Sequence, residues 1–312
     1  MLAIALSPYH LTTREAAAMA SIVLADHVVT MLPTPFTAGV TVSKNDVGRA
    51  VQSAPEYLEF IESWAWAAPL FEENVLGSVF QGEDASGDVR AACELVNDDD
   101  RFGPLRPLMR QALFEDEASY LAAVARDVLK AGPDPGISVP VAAGLDSFAA
   151  RHGLLVARAE PSSVAQKTES RLATPMFGVA IPALVQASAD RLLLARALLE
   201  EELIALRDAM LDAIDAGGDV NAVREAASAY ADAFDRERED LLSPPGAFEE
   251  DEVRTIAGTV TVQAQSMPVD AVLRSSAAAA RSLQNHRESG EGVATGEGLV
   301  SLVIKVVGRG RR

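Results

Sequence analysis

Residues 188–242, SADRLLLARALLEEELIALRDAMLDAIDAGGDVNAVREAASAYADAFDREREDLL, carry the strongest periodic signal in the chain. Leu192, Leu199, Leu206 and Ala213 recur at every seventh position, with Leu203 and Met210 between them. That spacing places all six on one stripe of a helix running from Ser188 to Asp215. Ser188 suits the N-cap, because its hydroxyl can accept an unpaired amide proton of the first turn, and Asp190 suits the positive helix end. Such an arm is about 42 Å long at 1.5 Å per residue. Gly217-Gly218 ends it, since glycine takes the left-handed C-cap conformation without a Cβ penalty. A second arm opens at Asp219 or Asn221 and repeats Val220, Ala227, Phe234 and Leu241, with Val223 and Tyr230 between. Ser243-Pro244-Pro245-Gly246 stops it, because proline offers no amide donor and clashes with the preceding turn. Two helices joined by so short a turn run antiparallel and share their apolar faces. The stretch therefore predicts a long antiparallel helical hairpin over 188–242.

The outer face of that hairpin is acidic, with fourteen Asp and Glu against six Arg. A solvated face accounts for this, and so would an acidic docking surface or a mimic of nucleic acid. Arg196 stands where the seven-residue pattern expects a leucine. Its stem can lie over apolar surface and lead the guanidinium out to Glu200, or it can turn inward and bind an anion.

Outward from the hairpin, the chain mixes short apolar runs with helical patterns. Leu2–Leu6 reads as a buried strand. Thr12 and Glu15 form a capping box that predicts a helix from Thr13 to Pro33, with Met19, Val23 and His27 on its stripe and His27 as a core histidine. Further helices are expected over 55–67, 69–80, 88–96, 104–114 and 116–131. Gly132-Pro133-Asp134-Pro135-Gly136 reads as a linker. Beyond it, a strand at 137–141, a short helix at 144–152 and a strand at 154–158 make a β-α-β unit with parallel strands and a right-handed crossover. Residues 162–172 form a polar connection, and 176–181 a further strand. After the hairpin, 248–257 and 268–283 read as helices, and 259–263 and 299–307 as strands. The expected fold class is a helix-rich α/β protein, with a small, mostly parallel sheet and the 188–242 hairpin. It is organised as 1–131 and 137–312, two regions free to form one compact unit.

Composition narrows the function classes. Apolar residues make up 49% of the 312, enough for a sizeable core. A net charge of −18 repels phosphate backbones and anionic lipid surfaces at a distance, which argues against general nucleic-acid or membrane binding. Cys93 is the sole cysteine, read as buried and inert, so no intramolecular disulfide forms and a reducing cytoplasm fits. The Met1–Leu6 run lacks a basic n-region and breaks at Pro8, so it does not read as a signal peptide. No apolar stretch approaches the ~20 residues of a spanning helix. The expectation is a soluble cytoplasmic protein. Its wealth of alanine and arginine beside only four lysines reads as bacterial genome composition.

In parallel α/β units, ligands gather where strands end and helices begin. Three such places are readable. After the first strand come Ser7, His10, Thr12 and Arg14; in the short helix, Asp146 and Ser147; after the next strand, Arg158, Glu160, Ser162 and Ser163. His10 is then the acid/base candidate, Asp146 or Glu160 would orient it, and Arg14, Arg158 and Arg196 are candidate holders of an anion. Capping and loop hydrogen bonding account for the same residue types. No metal or cofactor is expected. The four histidines are scattered, Asn97-Asp98-Asp99-Asp100 lacks an EF-hand pattern, and no lysine follows a phosphate-cradling glycine run. Gly290, Gly292, Gly296 and Gly298 precede a strand where a dinucleotide loop would open a helix. Two functions follow. One is assembly, with itself or a protein partner, through the helical hairpin; the other is an enzyme acting on a small anionic substrate at the strand ends. An acidic regulator that imitates nucleic acid stands third.

Overall fold

The computed structural model describes residues 1–12, 14, 16–31, 52, 54–78, 85–100, 103, 106–108, 114–130, 134–159, 176–185, 187–216, 220–242, 254–256 and 301–306. Ala3–Leu6 forms β1, the apolar run expected to be a strand. It lies between two parallel neighbours, so both its faces are covered and no alternation is needed. β2 (His27–Thr30) pairs with it on one side, with Leu6 opposite Thr30. β4 (Leu155–Ala159) pairs on the other, with Leu6 opposite Ala157. β3 (Leu76–Ser78) extends the sheet beyond β2, again parallel. The parallel part thus has the order β3-β2-β1-β4, and β8 (Ser301–Val306) with β5 (Met176–Ala180) adds two strands in antiparallel pairing beyond β4. A separate antiparallel ribbon joins β6 (Ala183–Val185) to β7 (Arg254–Ile256).

The chain moves one way along the sheet from β1 to β3, then jumps back past β1 to place β4. Right-handed crossovers therefore put the helices of these two halves on opposite faces. α1 (Pro8–Thr12) and α2 (Ala16–Leu24) lead from β1 to β2. α3 (Glu56–Ser63) and α4 (Ala68–Glu72) lead from β2 to β3. α5 (Ala85–Asp98), α6 (Glu117–Val128) and α7 (Pro135–His152) lead from β3 to β4. α2 packs on β1, β2 and β4, and α7 packs on β1 and β4 and against α5. One apolar cluster runs through all of these, from Leu2 in the first segment to Leu241 in the last. No helix of the described residues is long and apolar enough to cross a membrane.

Four expectations are corrected. The helix read from Thr13 to Pro33 ends at Leu24, and His27 belongs to β2, where its Nδ1 lies 2.8 Å from the Asn74 carbonyl oxygen; it is no core histidine. The helix read over 69–80 stops at Glu72, Asn74 takes a left-handed φ of 57°, and β3 follows. Residues 137–141 are not a strand but the first turns of α7, so β4 finds its parallel partner in β1. Asp134 starts this helix by accepting the Gly136 amide at 2.9 Å, and Pro135 at the first helical position is pre-set for it. Part of the helix read over 248–257 is β7.

The 188–242 stretch is helical but interrupted. α8 (Ala189–Leu198) stops at Leu199, whose φ of −109° and ψ of 19° leave the helical region, and α9 (Glu200–Ala216) restarts after it. α10 (Val220–Arg236) is likewise followed by a short α11 (Arg238–Leu242). α9 and α10 pack on each other and bury the predicted seam: Leu203, Leu206 and Met210 on one side, Val223, Tyr230 and Phe234 on the other. An uninterrupted hairpin is not what the chain forms, and its Gly217-Gly218 turn lies outside the described residues. So do the expected elements at 162–172, 259–263 and 268–283, most of 104–114, and the glycine loop at 290–298.

Candidate functional site

The order β3-β2-β1-β4 reverses between β1 and β4, and in open parallel sheets ligands gather outside the carboxyl ends of the strands at such a reversal. The β1 exit supplies Ser7, Tyr9, His10, Thr12 and Arg14. Ser7 and Tyr9 are buried, and His10 and Thr12 are half-buried. α1 is held down by Thr12, whose hydroxyl donates to the Pro8 carbonyl at 2.9 Å and accepts the Trp64 indole N–H at 2.8 Å. Thr12 thereby ties the β1 exit to the connection between β2 and β3. Arg14 sits beside this joint in a left-handed backbone conformation, φ 47°, and lays its guanidinium over the Trp66 ring, 4.7 Å from the centroid.

A buried acid closes the other side of the β1 exit. Asp127, near the end of α6, is fully buried. Its two carboxylate oxygens accept the Asp134 amide at 2.9 and 3.0 Å, and Lys130 Nζ lies 3.7 Å away. The Tyr9 hydroxyl bears on the same carboxylate. Burial raises the Asp127 pKa above the ordinary aspartate value, against the Asp134 amide, Tyr9 and Lys130, which favour the ionised form, while the Asp134 charge adds to the rise. Burial, then the Asp127 charge, raises Tyr9 well above an ordinary phenol.

Because the folded state holds the Asp127 proton more tightly than the unfolded chain, its contribution to stability declines as pH climbs from the ordinary aspartate value, about 3.9, through the raised one. Asp127→Asn lacks that slope. Urea unfolding from pH 4 to 8 is expected to show the wild-type advantage over the Asn variant shrinking with pH, then levelling. A difference that stays flat throughout would mean that the carboxylate is not held as described. Asp127→Ala leaves the Asp134 amide without its acceptor and is expected to cost about 1–3 kcal/mol.

Of the residues read from the sequence, His10 and Arg14 lie together at the β1 exit. Arg158 lies in β4, one residue beyond the Leu6–Ala157 pairing and so at the same sheet edge by its backbone. Glu160 and its following serines lie outside the described residues. Asp146 does not follow a strand, because the strand expected before it is helix, and it sits in the middle of α7. Arg196 points inward and does not lead out to Glu200. Its guanidinium donates to the carbonyls of Ile22, Val23, Ala25 and Asp26 at the end of α2. Arg207 joins it there, donating to the Leu24 carbonyl at 2.6 Å and pairing with Asp26 at 3.0 Å. Burial, with the neighbouring Arg207 charge, pushes Arg196 down to about 10, still far above neutrality, so the end of α2 is capped by two charged guanidiniums.

The sequence reading gave no role to Tyr9, Asp127, Asp134 or Arg207, and took Trp64 and Trp66 at their helix end for packing residues. A signal existed for Asp127, which falls seven residues after Tyr120 on the apolar stripe of α6. One existed for Arg207 as well, eleven residues after Arg196 and hence three turns on along the same face. No group of three or more His, Cys, Asp or Glu among the described residues could hold a metal ion. The chain matches no protein family, no curated protein and no solved structure.

Proposed function

We propose that this protein is an α/β enzyme whose small anionic substrate binds at the carboxyl ends of β1 and β4. The observation that carries the reading is the strand order, which reverses beside the segment bearing His10 and Arg14. His10 is half-buried at that edge, where it can exchange a proton with a ligand in the crevice. Arg14 supplies local positive charge beside the β1 exit in a chain whose net charge is −18.

Assembly through residues 188–242 is the second reading. The seam that motivated it is buried within the chain, so a partner would meet the outer side, where Leu198 and Ile204 are exposed. One experiment separates the two. Thermal unfolding with a panel of small phosphorylated and carboxylated metabolites, followed by light scattering of the same samples, is run on wild type and His10→Ala. A true ligand at a hundredfold excess over its Kd adds about 2.7 kcal/mol of stability, and the His10→Ala protein should lose most of that gain. A panel without effect, or one that stabilises both proteins equally, removes the enzyme reading. A strictly monomeric mass removes self-assembly.

A further inference from the structure

We infer that Thr30 is a specificity-determining residue of the proposed site, one that selects ligands carrying an uncharged oxygen, a hydroxyl or a carbonyl, in addition to their anionic group. This deepens the reading above and rests on it. Thr30 is the last residue of β2, and its register with Leu6 sets it at the carboxyl edge of the sheet, beside the β1 exit. Its side chain is fully buried, and its hydroxyl has no hydrogen-bond partner among the described residues. A valine has the same branched shape and the same preference for strands without that penalty, so packing alone does not account for a threonine here. Buried polar groups are nearly always paired, and an unmatched one calls for a partner from outside the chain. The Trp66 indole nitrogen is a second, independent case. It is shielded from solvent and unpaired among the described residues, whereas the Trp64 indole N–H, two residues earlier, donates to the Thr12 hydroxyl at the end of α1.

The chemistry of the two groups sets the class of partner. An indole N–H only donates, and a hydroxyl both donates and accepts, so an oxygen acceptor suits either. Neither group is charged. The oxygen of an anion is costly to bury against neutral donors, whereas a hydroxyl or carbonyl oxygen is not. The charged end of the ligand is therefore held elsewhere in the site, and Thr30 recognises a neutral part of it. The Thr30 hydroxyl is closed off from solvent, so the ligand reaches it through a local opening of the fold. Away from bulk water, an analogue that lacks the oxygen leaves the hydroxyl unpaired, and discrimination against that analogue is large.

Lactate, pyruvate and propionate share one carbon skeleton and a carboxylate, and they differ in bearing a hydroxyl, a carbonyl or neither. Their binding to wild type, Thr30→Val and Thr30→Ser is measured by calorimetry at constant ionic strength. Wild type is expected to bind lactate or pyruvate at least about tenfold more tightly than propionate, and the stronger of the two names the group recognised. In Thr30→Val that preference should disappear, while the unliganded variant unfolds at the wild-type temperature or above it. Thr30→Ser keeps the hydroxyl and should keep the preference. A lower unfolding temperature in Thr30→Val would mean that the hydroxyl is already paired inside the fold, and the inference is overturned. It is overturned equally by a preference that survives in Thr30→Val, or by a wild type that binds all three acids alike, the result expected of a hydroxyl paired by buried water only. In either of those cases anion binding remains and the enzyme reading stands. If none of the three acids binds, the inference is lost, and the metabolite panel above decides whether the enzyme reading is lost with it.

Discussion

Arg207→Met is expected to destabilise the fold by about 3 kcal/mol, the lower end of the 3–5 kcal/mol typical when one partner of a buried ion pair is removed. The side chain is 11% exposed and makes three contacts with the end of α2: the Leu24 carbonyl at 2.6 Å, the Val23 carbonyl at 3.3 Å and the Asp26 carboxylate at 3.0 Å. α2 has no basic residue in its own last turn, so the cation at its negative end comes from α8 and α9. Methionine keeps most of the volume and loses every donor. Asp26 would retain the Leu2 amide at 2.6 Å and some water, being 32% exposed on its side chain, which is why the lower figure is chosen. Arg196 also reaches the Val23 carbonyl and softens the loss there. Urea unfolding with an unchanged slope on denaturant would measure the effect. A double-mutant cycle with Asp26→Asn should return a coupling of about 1 kcal/mol or more. A loss below about 1 kcal/mol for Arg207→Met would show that the clamp contributes little.

The same clamp explains why the sequence misplaced the first crossover. The run Asp26-His27-Val28-Val29-Thr30 is rich in β-branched residues, yet its apolar spacing also continues the helical stripe of 16–24. What ends α2 after Leu24 is a pair of guanidiniums more than 170 residues away in the chain, and no local pattern announces them. The start of α7 failed for the opposite reason. Ile137, Val139 and Val141 suggested a strand, but the buried positions Gly136, Pro140, Gly144 and Phe148 recur every four residues. That helical spacing was present in the sequence, hidden because its first three members are small or imino residues that carry little hydrophobic weight. Leu2–Leu6, the 154–158 strand and the 299–307 strand were legible because each is a short, dense apolar run bounded by turn signals.

For the site, sequence reasoning named the segment after β1, because a strand followed by polar residues and a helix is a local pattern. It could not supply the strand order. The reversal between β1 and β4 depends on which strands pair, and that is decided by contacts across 150 residues of chain. Nor could it separate Trp64 from Trp66. The two indoles sit two residues apart in a 3-10 turn and its cap, and one finds the Thr12 hydroxyl while the other is left facing Arg14. Arg196 shows the converse. A cation breaking a leucine pattern was correctly marked as unusual, but its partners are backbone carbonyls, so the group that looked functional is architectural.

Gly144→Val is expected to cost about 3 kcal/mol or more, at or beyond the upper end of ordinary overpacking. A Cβ built at Gly144 would lie 2.8 Å from Val89 Cγ2, 3.0 Å from its Cα and 3.1 Å from its amide nitrogen. The first of these atoms could rotate away; the other two are backbone of α5 and cannot, so α5 and α7 must separate. In isolation, Gly→Ala in a helix gains about 1 kcal/mol of propensity. The sign for Gly144→Ala is therefore set by contact against propensity, and with two backbone atoms inside 3.2 Å a net loss of about 1 kcal/mol is expected. Adding Val89→Ala discriminates between the causes: if the side-chain contact dominated, it would restore Gly144→Ala to wild-type stability. Because the backbone contacts remain, only partial recovery is expected, less the cavity cost of the shortened valine. Full recovery, or a Gly144→Val protein as stable as wild type, would mean that the two helices do not cross at this closeness. α7 reaches the sheet beside β1 and β4, so any displacement of it is transmitted to Asp134 at its start and, through the Asp134 amide, to Asp127. The Gly144→Val protein should accordingly show a weakened response to the ligand that stabilises wild type, even though position 144 lies well away from His10 along the chain.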